Sequence, residues 1–396
     1  MNQRELFLKH VAQTSYSPMM GIDLNIVSAQ GSVLVDVNGK SYVDLISGIS
    51  VSSIGHCHPK VVKAIHNQAS KYMHLMVYGE YNQTPQVKYA QVISSHLPSN
   101  LNCVYFTTGG SEAVEGAMKL AKRVTGRTKF ISFKNAYHGS TQGALSLMGD
   151  EYFKNSFRPL LPGVEILEFN NINDLNKINT DCAAVFIEPI QGEAGVIEAT
   201  VDFLKALQIK CKETETLLVF DEIQTGFGRT GKLFAFEHFN IEPDILLVAK
   251  AMGGGLPIGA FISSKENMNH FCDNPVLGHI NTFGGNAVCV EAALASLNVV
   301  LEDKLVQRAM WIENFVKFNL KNPRIKFLRM KGALGAIEFE SVEFCQRVIK
   351  KCIENGVISD WFLFCDKAMR IAPPLNIEEA DLSHSLKIIN NSINDL

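Results

Sequence analysis

Beyond Leu97 the apolar positions fall into short unbroken runs, at 103–107, 129–133, 164–167, 183–187, 217–220, 245–248 and 259–263. Nothing in Ile245-Leu246-Leu247-Val248 alternates, so it predicts a strand buried on both faces. Runs of this kind, separated by helical or polar segments, predict a mostly parallel seven-stranded sheet covered by helices, an α/β fold. In such a sheet ligands gather beyond the carboxyl ends of the strands. Upstream, the alternation over 32–45 around Asn38-Gly39 predicts a hairpin. Residues 1–30 predict a short helix and a loop, and a further helix is expected to start near Pro59. After about Asn286 long amphipathic helices take over, with strand-like stretches at 332–340 and 369–371. The pattern divides the chain into an N-terminal segment (1–45) joining the last unit, a large unit (46–290) and a smaller α+β C-terminal unit (291–396).

Composition narrows the possible functions. At 46% hydrophobic and 19% charged residues, 396 residues bury a large core, and disorder is excluded. A net charge of −3 gives no basic field for nucleic acid or an anionic membrane. No apolar segment approaches the roughly 20 residues needed to span a bilayer. Arg4, Glu5 and Lys9 interrupt the first residues, unlike the apolar core of a signal peptide. The nine cysteines show no CxxC spacing and read as reduced thiols of a cytoplasmic protein. His56, Cys57 and His58 lack a second ligand cluster, so no metal is expected.

The chemistry collects where the strands end. Lys250 follows 245–248 and precedes Gly253-Gly254-Gly255. Partial desolvation there would lower its pKa and free the amine as a nucleophile, although a solvated lysine capping a strand is the commoner role. Thr107-Thr108-Gly109-Gly110-Ser111-Glu112 leads into a helix expected over 113–122. Such a turn offers backbone N–H groups to a phosphate, or is a plain turn with Ser111 as N-cap. Tyr137, in Phe133–Ser140, could stack on a flat ligand or simply pack. Glu188-Pro189-Ile190-Gln191-Gly192-Glu193 carries two acids without metal-loop spacing. Asp221 and Glu222 follow an apolar run, so one of them needs a donor or cation at the sheet's edge. The literal GxGxxG of Gly226–Gly231 is off the strand–helix turn and lacks its downstream acid, which rejects a nicotinamide site. A phosphate nest, an aromatic, a carboxylate and a reactive lysine are together what pyridoxal phosphate asks for.

From SGISVSSIGHCHP through TGGSEAVEGAMKLAK, YHGST, EPIQGEAG, FDEIQTGFGRTG, AKAMGGGLPIGA and NTFGGN to RIAPPL, the chain closely resembles the class III (subgroup II, ω-type) pyridoxal-phosphate aminotransferases. That family includes acetylornithine, ornithine, 4-aminobutyrate and putrescine enzymes. The resemblance implies the PLP fold-type I architecture and a homodimer. It also implies transfer of a terminal amino group from an ω-amino acid or diamine to 2-oxoglutarate, giving an aldehyde and glutamate. By position, Lys250 would hold the cofactor's aldehyde and shuttle the proton, while Asp221 would keep the pyridinium nitrogen protonated. Gln224 would contact the phenolic oxygen, Tyr137 would stack on the ring, and His138 and Glu188 would support the cofactor. Gly110 and Ser111 would hold its phosphate, with Thr282 reaching in from the partner subunit. On the substrate side Arg370 would grip a carboxylate, and Glu193 would pair with that arginine when an amine end enters instead. Ile49 falls where a tyrosine marks ornithine enzymes. Ser140 replaces an arginine that commonly binds a distal carboxylate, which gives a diamine donor weight. The alternatives are a putrescine or 4-aminobutyrate aminotransferase, an aminomutase on the same cofactor, and a regulator that kept the fold.

Overall fold

The computed structural model describes residues 3–12, 14 and 19–396. Seven strands form one sheet: β1 (Cys103–Thr107), β2 (Lys129–Phe133), β3 (Val164–Leu167), β4 (Cys182–Ile187), β5 (Leu217–Asp221), β6 (Ile245–Val248) and β7 (Gly259–Ser263). Their spatial order is β1-β7-β6-β5-β4-β2-β3. The expected runs at 183–187 and 217–220 each gain one residue, Cys182 and Asp221. Every residue of β4 and β6 is buried, which is why these runs do not alternate. β7 runs antiparallel to both neighbours, β6 and β1, and all other pairings are parallel. The carboxyl ends of the parallel strands therefore share one edge with the start of β7. The chain turns back there within Ala249–Ile258, and Gly254 and Gly255 take the positive φ angles of 57° and 111° that this reversal demands.

Helix α1 (Gly110–Thr125) follows β1. Ala113, Val114, Ala117, Leu120 and Ala121 recur at helical spacing and are buried, in one cluster with Phe130 and Phe261. The helix begins earlier than expected. Gly109 is its cap and Ser111 lies inside the first turn, so Ser111 is not the N-cap. Gly126, left-handed at φ 70°, stops it.

The hairpin around Asn38-Gly39 is present as Val33–Asp36 and Ser41–Asp44, its turn held by Asp36 Oδ1, which accepts the amides of Asn38 and Lys40 (both 2.9 Å). A strand the sequence left as loop, Ile26–Gln30, adds to one side. Val357–Ile358 adds in parallel to the other, tying this segment to the far end of the chain. Of the loop expected before it, residues 13 and 15–18 lie outside the described residues. A third sheet orders Phe327–Lys331, Leu334–Glu338, Cys365–Ile371 and Trp361–Phe362, with the helix Val342–Glu354 packed on Cys365–Ile371 and the helix Leu305–Asn319 on Phe327–Lys331. The stretch expected at 332–340 is thus the second arm of a hairpin turning at Gly332. No described helix is long and apolar enough to cross a membrane. The His56 ring bonds Asp44 (Nε2–Oδ2 2.7 Å), and no cluster of three or more metal-ligating side chains occurs among the described residues.

Candidate active site

A cavity of about 450 Å³ opens at the carboxyl edge of the sheet, lined by Gly110, Ser111, Tyr137, His138, Glu188, Asp221, Gln224 and Lys250 among others. Five different strand ends deliver these residues, so their meeting follows from the parallel order of the strands.

On one wall is the start of α1. Its first intrahelical bond is Ala113 N to Gly109 O (3.1 Å), so the amides of Gly110 and Ser111 have no acceptor within the helix. With the positive end of the helix dipole they make an anion cradle. Ser111 Oγ accepts the Ser140 amide (3.3 Å), closing the cradle from the β2 side. A Cβ on Gly110 would lie 2.9 Å from Ile223, so a side chain here would have to displace Ile223.

Asp221 is the last residue of β5. One oxygen accepts the Ile223 amide (3.0 Å) and the other bonds His138 Nδ1 (2.7 Å). Burial pulls the His138 pKa down, but its bond to Asp221 and that carboxylate's charge outweigh this, so the pKa lies above its ordinary value. Glu222 faces away, accepting the amides of Ala235 (2.6 Å) and Phe236 (2.7 Å) and the Thr225 hydroxyl (2.9 Å). The adjacent acids have therefore parted: Asp221 faces the cavity, and Glu222 pins the loop Gly226–Phe236.

Lys250 enters from beyond the adjacent strand β6, at a positive φ of 48° unusual for a side-chain-bearing residue. Its ammonium makes no hydrogen bond or ion pair among the described residues. Desolvation holds its pKa below the usual lysine range, although the charges of Glu193, Asp221 and Glu188 oppose that. A side chain that gives up its proton readily and has no partner is ready to bond something else.

Glu188 accepts the amides of Tyr137 (3.0 Å) and Gly192 (3.1 Å), and burial pushes its pKa up to about 7. A carboxyl that holds its proton more tightly folded than unfolded stabilises the fold below its ordinary value near 4.5, and this contribution is lost as pH rises to about 7. Glu188→Gln leaves one amide without its acceptor, a pH-independent cost. Between pH 5 and 7 the variant should nonetheless gain on the wild type by about 2 kcal/mol, seen as converging melting temperatures of the cofactor-free proteins. A gap that stays constant with pH counts against the assignment.

Beyond Gln224 lies a buried ion pair. Arg370 Nη1 and Nη2 donate to the two oxygens of Glu193 (both 3.0 Å), and Gln224 Nε2 donates to Glu193 Oε1 (3.3 Å). Burial works against the Glu193 charge, but Arg370 keeps its pKa below the usual carboxylate range. Tyr137 lines the cavity, its hydroxyl 3.3 Å from Ser140 Oγ, and Ser140 is exposed. Ile49 lies in a left-handed turn, Ser47–Ser50, at φ 60°, and is not among the cavity's lining, whereas Val51 two residues on is. Thr282 is exposed and away from this chain's cavity, its Oγ1 3.2 Å from the Tyr78 hydroxyl.

Sequence reasoning missed Asp360, which bonds Arg370 Nε through Oδ1 (2.7 Å). It also missed Thr108, whose amide and hydroxyl both donate to Glu112 and fix the turn before α1. Only strand register could have found Asp360, because nothing in its local sequence marks it.

Comparison with known proteins bears on this geometry. The family model described as aminotransferase class-III matches residues 14–393. Acetylornithine aminotransferase of Archaeoglobus fulgidus is 38% identical over 97% of this chain and 98% of its own length. The [LysW]-aminoadipate semialdehyde/glutamate semialdehyde transaminase of Sulfolobus acidocaldarius is 37% identical, over 85% and 86% respectively. Among solved structures, the ornithine aminotransferase of Toxoplasma gondii superposes with a TM-score of 0.90 at 29% identity, covering 100% of this chain and 96% of that one.

Proposed function

The chain belongs to the class-III aminotransferase family, and from that premise we propose that the cavity binds pyridoxal phosphate and exchanges amino groups between a terminal amine and 2-oxoglutarate. That it is an aminotransferase acting on an ω-amino group follows from the relatives along its whole length. The observation that carries the site assignment is that Lys250 and Asp221 line one cavity, beside α1 amides that have no acceptor within the helix.

The residues fit the cofactor group by group. The amides of Gly110 and Ser111 suit its phosphate, Asp221 suits a protonated ring nitrogen, Gln224 the phenolic oxygen, and Tyr137 a ring face. When bound, the cofactor supplies an electron sink for the carbanion formed at the substrate carbon. The chain's own part is to hold and move protons. Asp221, kept in place by Ile223 N–H and His138, stays an acceptor at the ring nitrogen. Lys250 Nζ, with its proton loosely held, serves as nucleophile and then as proton carrier at the substrate carbon. Arg370 offers its terminal N–H pair to a carboxylate once Glu193 withdraws, and Glu193 returns when an amine end occupies that place. Ser140 offers no charge for a distal carboxylate, and this favours the second reading of the donor, a diamine.

The second subunit would supply Thr282. Two stretches around it expose large apolar side chains: Met73, Leu75 and Met76 on one, Ile280 and Phe283 on the other. They touch through the His74 and Phe283 rings (5.2 Å) and through Asn286 Nδ2 donating to Met73 O (2.9 Å). An apolar patch of this kind supports a homodimer. Nine free cysteines support a reducing, cytoplasmic setting.

A half-reaction screen tests the reading. Acetylornithine, ornithine, 4-aminobutyrate, putrescine and lysine are added singly to the cofactor-loaded enzyme. At least one should convert bound pyridoxal phosphate to pyridoxamine phosphate, with glutamate released when 2-oxoglutarate follows. Migration of an amino group within the substrate, with no acceptor present, would replace transfer by isomerisation.

A further inference from the structure

Arg370 is gripped from more directions than its ion pair with Glu193 requires. It lies on the strand Cys365–Ile371, which pairs antiparallel with Leu334–Glu338 on one side and Trp361–Phe362 on the other. Its amide donates to Asp360 O (2.9 Å), and its carbonyl accepts the Ser359 hydroxyl (2.7 Å). That pairing sets Asp360 directly opposite, where neighbouring strands bring side chains together. Four of the five guanidinium N–H groups find acceptors here. Nε–H goes to Asp360 Oδ1 (2.7 Å), and one Nη2 proton goes to Trp361 O (3.3 Å). One proton each from Nη1 and Nη2 goes to Glu193 (3.0 Å and 3.0 Å). The Phe362 ring lies under the guanidinium carbon, 4.2 Å from centroid to Cζ.

Glu193 is held more loosely. Apart from Arg370, its carboxylate has, among the described residues, only two long bonds, from Gln224 Nε2 and from Leu363 N, both 3.3 Å. If Glu193 leaves, Arg370 keeps Asp360, Trp361 O and the Phe362 face. What it loses is one pair of parallel N–H groups, the geometry that takes a carboxylate bidentately. A substrate carboxylate arriving there replaces one negative charge by another, so the net charge beside the arginine is unchanged.

We propose that Asp360 is the positioning residue that fixes Arg370, so that its Nη1/Nη2 face receives a substrate carboxylate without the arginine moving. The proposal rests on the reading of Arg370 as the carboxylate-binding residue and adds what makes that exchange possible. Asp360 acts through Arg370 and touches no substrate.

The test compares two acceptors in single turnovers of enzyme loaded with pyridoxamine phosphate: 2-oxoglutarate, and butanal, which has no carboxylate. In Asp360→Ala, the rate constant per unit 2-oxoglutarate should fall about 30-fold, and that for butanal about 3-fold or less, because misplacing a positioning group affects only the ligand it positions. Asp360→Asn keeps an oxygen for Nε–H and should return 2-oxoglutarate to within about 5-fold of wild type. Equal losses with both acceptors in both variants would show a merely structural role and overturn the proposal, as would a loss under 3-fold with 2-oxoglutarate in Asp360→Ala. A wild-type enzyme that reacts with neither acceptor would instead overturn the transaminase reading itself.

Discussion

Lys250→Ala should lose both half-reactions, with kcat falling about 10³-fold or more. The substitution removes the side chain proposed to hold the cofactor and to carry the proton, and proton transfer by a positioned side chain alone contributes about 10²–10⁴-fold. Borohydride reduction of the loaded wild type, followed by peptide mass analysis, should find the cofactor on the peptide containing Lys250 and nowhere else. The variant should carry none. A small primary amine in solution should restore part of the activity, because the cavity left by the lysine chain stays open to it. Stability should move the other way. In the cofactor-free protein Lys250 is a desolvated amine with no partner, and burying such a group costs free energy. Cofactor-free Lys250→Ala should therefore melt no lower than cofactor-free wild type, even though alanine inherits the backbone strain at φ 48°. A variant that keeps more than a tenth of the wild-type rate, or a wild-type label on another lysine, would remove Lys250 from the centre of the site.

How much of this was legible beforehand differs between the sheet and the substrate pocket. The seven strands could be read because residues buried on both faces leave an unbroken apolar run, and β4 and β6 are buried at every position. Their carboxyl-end chemistry could be read for the same reason. In a parallel sheet all such ends share an edge, so Ser111, Tyr137, Glu188, Asp221 and Lys250 converge without any pairing information. The antiparallel β7 was not legible, since a buried strand's pattern carries no direction. Nor was Ile26–Gln30, whose residues are mostly exposed and give no alternation to find. The substrate side was harder because its geometry comes from contacts distant in sequence. Glu193 meets Arg370 across 177 residues, and resemblance to a family proposed that pair. Asp360 meets the same arginine through hairpin register, with no motif to flag it. Asp221 and Glu222 show the limit most directly. The sequence required one buried carboxylate with a partner, and the fold contains two, each with donors of its own and only one facing the cavity.

Asp221→Asn should retain the cofactor and lose turnover. Asparagine matches aspartate in shape and can still accept the Ile223 amide, and the phosphate cradle at the start of α1 lies on another wall. Cofactor affinity is therefore expected to fall by about tenfold or less. What disappears is the negative charge that His138 bonds and that is proposed to face the ring nitrogen. Oriented charge in a water-poor site is worth about 10²–10³ in rate per group removed, so kcat should drop by that much in both half-reactions. The arrangement with His138 explains why the effect cannot be local to one oxygen. His138 Nδ1 lies 2.7 Å from Asp221 Oδ2, and its raised pKa depends on that carboxylate. Once the charge is gone, burial is opposed only by the weaker pull of Glu188, and the ring shifts toward its neutral form. Asp221→Glu separates charge from position. It restores the negative charge but pushes the carboxylate one methylene further into a packed pocket, so it should recover the His138 interaction better than the rate. A spread in which asparagine binds cofactor normally and turns over within tenfold of wild type would mean that the ring nitrogen is held by another group, and the assignment of Asp221 would fall with it.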